Sequence, residues 1–88
     1  MEMTKIAIDS IGWIGSLMLI SGYWLNSKGK LNAQSLSYQL LNLIGSVLLI
    51  VNTIYYGAYP SSAVNIIWVF IGIFYIIKIQ KKEKIENI

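Results

Sequence analysis

The sequence predicts an all-α integral membrane protein, a three-transmembrane-helix bundle that we expect to pair into a six-helix homodimer. Composition is the first observation, because 56% of the 88 residues are hydrophobic and only 12% are charged. That charged share is about half of what ordinary globular proteins carry. The second is charge placement, since Lys28 and Lys30 are the only charged residues between Ser10 and Ile77. So short a chain could not bury this much apolar surface in water, and we therefore expect a single membrane domain over residues 1–88.

Three apolar segments predict three membrane spans, at about residues 6–25, 36–56 and 62–79. Each is long enough to cross a hydrocarbon layer of ~30 Å at ~1.5 Å per residue, and none alternates as a strand would. The polar cluster at residues 26–30 contains a glycine and predicts a helix end and a turn. Ser35 or Ser37 is a suitable N-cap for the second helix. Pro60 fits at or just before the first turn of the third, where its missing N–H loses no hydrogen bond.

Several function classes conflict with the residue types. The chain has no cysteine and no histidine, and its acids are confined to Glu2, Asp9, Glu83 and Glu86. We therefore expect no metal site, no cofactor and no activated serine or threonine nucleophile, and we predict that the protein is not an enzyme. The aromatic residues lie in the apolar spans rather than beside a basic surface, so we expect no nucleic-acid partner.

The lysines predict the orientation in the membrane. With three spans, the first loop and the C-terminal tail share one side, and that side carries Lys28, Lys30, Lys78, Lys81, Lys82 and Lys84. The opposite side carries only Lys5. The positive-inside rule then places the C-terminus in the cytoplasm and the N-terminus outside. Asp9 follows Ile6 by only three residues, so we expect it at headgroup level.

Small and polar residues mark the protein-facing side of a helix in lipid. Helical spacing collects them into one face on each predicted span. These faces hold Gly12, Gly15, Ser16, Leu19, Gly22 and Asn26 in the first span, Tyr38, Asn42, Gly45, Leu49, Asn52 and Tyr56 in the second, and Asn65, Trp68, Gly72 and Tyr75 in the third.

Each of these faces has a structural and a functional interpretation. The structural one is close packing or bending of the helices at the hinge or packing candidates, which are Gly12, Gly22, Gly45, Pro60 and Gly72. The asparagines would then make interhelical or helix-end hydrogen bonds. The functional one is a polar pocket near the middle of the membrane, because amides supply both donors and acceptors and an aromatic ring suits the apolar face of a sugar. The candidate pocket residues are Asn65, Trp68, Asn42 and Asn52.

In the sequence from Gly45 to Asn65, the glycine of the second span is followed by the pair Tyr56-Gly57, by Pro60 and, five residues later, by Asn65. This order of residues resembles the MtN3, SWEET and PQ-loop superfamily. The resemblance implies a SemiSWEET-like three-helix bundle in the bacterial inner (cell) membrane, which works as a parallel homodimer and lines a sugar pocket with Asn65. Two positions depart from the family pattern. No Pro-Gln pair occurs in the first span, which leaves any hinge to Gly22, and Leu49 stands where a tryptophan is expected.

We therefore expect a membrane facilitator of a small neutral solute, with sugars as one candidate class. Its partners would be the lipid bilayer, the solute and a second copy of the chain, because three helices cannot enclose a solute pathway. One alternative is a non-transporting accessory or scaffold subunit whose asparagines hold the bundle or a partner. Another is a holin-like pore former, which the three spans and the lysine-rich tail also fit. Solute uptake in proteoliposomes distinguishes the first from the second.

Overall fold

A computed structural model describes residues 2–86 and contains three α-helices in sequence. Helix α1 spans Glu2–Ser27, α2 spans Leu36–Tyr55 and α3 spans Tyr59–Glu86. All three are long and apolar enough to cross a membrane, which indicates a membrane protein.

Helices α1 and α3 contain the predicted spans 6–25 and 62–79 and extend beyond them, whereas α2 follows the predicted span 36–56 but ends one residue earlier, at Tyr55. Helix α1 begins four residues before residue 6, and α3 continues from residue 79 to Glu86. The added ends are rich in lysine, glutamate and glutamine, which are good helix formers in water. Helix α2 has about 30 Å of length for its 20 residues, which matches the hydrocarbon thickness. The other two are longer by roughly 9–12 Å, so their ends project past α2.

Both connections begin with the same glycine motif. At the end of α1, the Gly29 N–H donates to the Asn26 carbonyl (3.0 Å) and the Lys30 N–H donates to the Leu25 carbonyl (2.9 Å). At the end of α2, Gly57 and Ala58 repeat this pattern. Gly29 and Gly57 have φ values of 75° and 72°, a left-handed conformation that glycine adopts without strain.

The helix starts also follow the sequence signals. Ser35 is the N-cap of α2, and its side chain accepts from the Tyr38 N–H at 3.2 Å. Pro60 is the second residue of α3, where no helical hydrogen bond needs its missing N–H.

Helix α2 lies between the other two. Both α1 and α3 pack against it, whereas within residues 2–86 no Cα atom of α1 comes within 8 Å of a Cα atom of α3. The bundle is elongated, with a long axis of 54 Å. Because the outer helices meet only α2, a groove runs between them along one side of that helix.

The interior of the bundle is made of small and polar residues. Among residues 2–86, no large hydrophobic side chain is buried, while most of them are exposed on the outer surface. The buried positions are Gly12, Gly15, Gly22, Gln39, Gly45, Ser46, Ser62, Asn65 and Gly72. This arrangement reverses the pattern of a water-soluble protein and fits helices surrounded by lipid.

Candidate functional site

The groove between α1 and α3 holds the best candidate site. It has a volume of about 430 Å³. All three helices contribute to its lining, with Leu19 and Tyr23 from α1, Tyr38, Asn42 and Ser46 from α2, and Trp68 from α3. The groove therefore combines aromatic rings, one amide and hydroxyl groups in a mainly apolar wall, which is the usual composition of a small-molecule site.

Asn42 is the central polar group of this groove. Tyr38, Asn42 and Ser46 follow one another at intervals of four residues, so they occupy successive turns on one face of α2. Asn42 is half-buried, and its amide has no hydrogen-bond partner among the described residues. Counting from Leu36, Asn42 lies about 9 Å into α2 and Ser46 about 15 Å. The amide is therefore available to a ligand well inside the membrane.

Trp68 faces the same groove from α3. Its side chain is 57% exposed, and it also lines an adjoining recess with Asn42, Gln39 and Gly72. The predicted site residues Asn42 and Trp68 are thus brought together, on either side of the α2–α3 contact.

Asn52 lies elsewhere and has a structural contact. Its Nδ2 atom donates to the Ile8 carbonyl of α1 at 2.9 Å. Gly12 makes room for this bond, because a Cβ atom at that position would overlap the Asn52 amide. Asn52 therefore helps to hold α1 against α2.

Asn65 is also separated from the groove. It is only 9% exposed, and its Nδ2 atom donates to the Ser61 carbonyl one turn earlier in α3, at 2.9 Å. The surface recess that it lines contains Pro60, Ser61 and Val64. The structure therefore does not place Asn65 and Trp68 in one cavity, although they are three residues apart.

The glycines differ in how closely they pack. A Cβ atom on Gly15 would lie 2.8 Å from the Gly45 carbonyl oxygen, and one on Gly45 would lie 2.9 Å from the Gly15 carbonyl oxygen. By contrast, the nearest atoms to a Cβ on Gly22 or Gly72 would be 3.7 Å and 3.6 Å away, which is ordinary contact. Helix α1 runs unbroken through Gly22.

Side-chain amides fix the first loop at one end of the groove. Gln39, which is buried, donates from Nε2 to the Ala33 carbonyl at 2.8 Å. Asn26 donates from Nδ2 to the Leu31 carbonyl at 2.9 Å. The loop residue Asn32 lines a cleft together with Lys78 and the end of α3. The first loop and the C-terminal part of α3 therefore lie at the same end of the bundle.

The opposite end carries Asp9. Its carboxylate accepts a hydrogen bond from the Tyr56 hydroxyl, and Tyr56 directly follows the last residue of α2. Asp9 is therefore level with the end of α2. Nearby, Ser62 donates to the Thr53 hydroxyl at 2.7 Å and joins α2 to α3.

Three polar or aromatic residues that line the groove or its adjoining recess lie on none of the predicted helix faces, namely Tyr23, Gln39 and Ser46. Ser46 carried a signal, because it extends the four-residue spacing from Tyr38 through Asn42 by one more turn. No feature of the sequence distinguishes Tyr23 and Gln39 from residues that lie at the membrane–water interface. The described residues contain no group of three or more histidine, cysteine or acidic side chains that could hold a metal ion.

Comparison with known proteins gives one family match. A family model without an assigned activity matches residues 8–83, which is most of the chain and includes all of α2 and the greater part of α1 and α3. The chain belongs to this family. Nothing in the match connects the family with the MtN3, SWEET and PQ-loop superfamily, so that resemblance stays a prediction. No curated protein and no solved structure matches the chain.

Proposed function

We propose that this family member is a membrane facilitator of a small neutral solute, with sugars as the first class to test. The observation that carries the proposal is the groove in which Asn42 and Trp68 meet. An amide offers two donors and one acceptor oxygen to hydroxyl groups. An indole ring offers an apolar face, which suits the C–H side of a sugar ring. None of the described residues that line the groove is charged, which favours a neutral solute.

A second copy of the chain would complete the pathway. The groove is open along the side where α1 and α3 do not meet, so one copy leaves Asn42 facing lipid. Two parallel copies with their grooves face to face would form a six-helix homodimer around a shared cavity near the middle of the membrane. Transporters commonly place a substrate site between two repeats in this way. The resemblance to the SemiSWEET group supports the same arrangement.

The proposed location is the bacterial inner (cell) membrane, with the N-terminus outside. The lysines of the first loop and of the α3 end, which lie at one end of the bundle, support a cytoplasmic position for that end. Asp9 and the short turn after α2 would then face outward.

A non-transporting scaffold or accessory subunit is the second candidate. Asn52 and Asn65 favour it, because both use their amide N–H groups for bonds within the chain. Under this proposal the groove would hold a helix of a partner protein rather than a solute.

Uptake by reconstituted protein tests the first proposal. Proteoliposomes should take up one or more members of a panel of labelled neutral solutes faster than empty vesicles. Trp68→Leu should reduce this uptake, whereas Trp24→Leu should not. The two tryptophans are matched in exposure, at 57% and 54%, and only Trp68 lines the groove. If proteoliposomes and protein-free vesicles take up every solute of the panel at the same rate, the result would favour the scaffold or accessory role.

A further inference from the structure

A second cavity, of about 280 Å³, lies between α1 and α2 at the end of the bundle opposite the first loop. Its polar and aromatic lining residues are Asp9, Trp13, Ser16, Asn52 and Tyr56. It is separate from the groove of Asn42 and Trp68, with which it shares no lining residue.

Asp9 places a carboxylate in this cavity, and it has no ion pair among the described residues. One carboxylate oxygen, Oδ1, accepts from the Tyr56 hydroxyl, and the other has no hydrogen-bond partner among residues 2–86. Lys5, one turn earlier on α1, is the only lysine that residues 2–86 place at this end of the bundle. No described lysine lies within ion-pair distance of Asp9. A carboxylate at the edge of the hydrocarbon layer is costly unless a cation or water compensates it.

The other lining groups also favour a cation. Trp13 follows Asp9 by four residues and therefore lies one turn further along the same face of α1. Its ring and that of Tyr56 present negative π-faces. The Nδ2 atom of Asn52 is already bound to Ile8, which leaves its carbonyl oxygen as an acceptor. A carboxylate, two aromatic rings and an amide oxygen form a set that attracts cations and disfavours anions.

We propose that this cavity binds a small organic ammonium ion, with the charged nitrogen near the free oxygen of Asp9 and its alkyl groups against Trp13 and Tyr56. The inference goes beyond the transport of a neutral solute and does not depend on it. The cavity is level with the end of α2, where lipid headgroups lie. The ammonium group can therefore come from a free amine or from a zwitterionic lipid headgroup.

Choline and its uncharged carbon isostere, 3,3-dimethylbutan-1-ol, form a matched pair of probes. Binding to the purified protein in dodecyl maltoside, which carries no ammonium group, can be measured by equilibrium dialysis. We expect saturable choline binding and at least about tenfold weaker binding of the isostere. Asp9→Asn keeps the size of the side chain and an acceptor for Tyr56, and it should weaken choline binding by a similar factor. The same thermal stability for both proteins would confirm that the variant is folded.

Nanodiscs distinguish the two sources of the ammonium group. If a free amine is the ligand, choline should bind equally in phosphatidylglycerol discs and in discs that also contain phosphatidylcholine. If a lipid headgroup occupies the cavity, added phosphatidylcholine should abolish choline binding to the wild-type protein. Unchanged choline affinity in Asp9→Asn, or equal binding of the uncharged isostere in detergent, would overturn the proposal.

Discussion

The contact between α1 and α2 depends on two residues that have no side chain. Gly15 and Gly45 bring the two backbones together, and each would place a Cβ atom within 3 Å of the other's carbonyl oxygen. Lipid is as apolar as leucine, so helices in a membrane gain stability from close packing rather than from leaving water. The loss of a single close approach should therefore weaken the bundle markedly.

Alanine substitutions at matched glycines test this packing. Gly45→Ala should lower the free energy of unfolding by about 1–3 kcal/mol, because the methyl group would meet a backbone oxygen that cannot rotate away. Gly72→Ala should be neutral or stabilising by up to about 1 kcal/mol, since it meets only ordinary contacts and removes a helical glycine. Unfolding of both variants in SDS mixed micelles gives the comparison. Equal effects of the two substitutions would contradict the packing account.

Alanine substitution should lower the stability of the bundle at Asn52 but not at Asn42. Asn52→Ala removes an interhelical hydrogen bond and should lower stability by about 0.6 kcal/mol, the average for such bonds within membranes, and by at most about 1.7 kcal/mol. Asn42→Ala removes no hydrogen bond among residues 2–86, so the free energy of unfolding should not change. If the groove binds solute, Asn42→Ala loses one or two hydrogen bonds to it, and affinity should fall about twofold to a hundredfold.

Thermal unfolding and solute binding, measured on the same preparations, separate the two roles. A stability loss in Asn42→Ala that equals the loss in Asn52→Ala would make Asn42 structural. It would also remove the amide from the proposed solute site.

At the scale of whole helices, the length of α2 matches the thickness of the hydrocarbon layer, and α1 and α3 extend past the ends of α2. The end of α3 beyond residue 79 is mostly lysine, glutamate and glutamine, and it lies at the same end as the first loop. Long lysine side chains there can reach the headgroups. The lysines of the first loop and those of the α3 end therefore lie at the same end of the folded bundle.

Cysteine labelling tests the resulting orientation. Ser27 and Ser61 are both exposed, and they lie at opposite ends of the bundle. In intact cells, Ser61→Cys should react with a membrane-impermeant thiol reagent, and Ser27→Cys should react only after the cells are broken. The native chain has no cysteine, so it serves as the blank. The reverse labelling pattern would place the N-terminus in the cytoplasm.

The helix ends show which parts of the fold the sequence could predict. The polar cluster that contains Gly29, the cap at Ser35 and the position of Pro60 are local signals, and all three proved correct. The extensions of α1 and α3 were missed because hydropathy detects the apolar span, whereas a helix continues into water as long as its residues favour it.

The candidate site was less predictable for a geometric reason. Asn42, Asn52 and Asn65 look alike in the sequence, and each lies on a face rich in small residues. Their roles depend on which neighbour each amide reaches. Asn52 faces a carbonyl of α1, Asn65 turns back on its own helix, and Asn42 faces the groove. Those distances follow from the packing of α1 and α3 on α2, which periodicity alone does not determine.

For the molecule as a whole, the open groove leads to a prediction about assembly. We expect two copies in each particle when single molecules in lipid nanodiscs are counted by photobleaching. Tyr23→Trp, which enlarges a groove residue of α1, should shift particles toward one copy if the grooves face each other. Ile67→Trp enlarges an exposed residue of α3 outside the groove lining and is the control. Full solute uptake by single copies would contradict the homodimer.

The absence of large hydrophobic residues from the interior of residues 2–86 also has a thermodynamic consequence. Unfolding of a soluble protein exposes apolar groups to water, and their hydration gives a large positive heat capacity change. When these three helices separate within a bilayer, their outer surfaces already face lipid and the newly exposed ones meet lipid too. The heat capacity change should therefore be close to zero, and stability should vary almost linearly with temperature. Such a protein has no cold denaturation, because the curvature that produces it depends on the hydration of apolar surface.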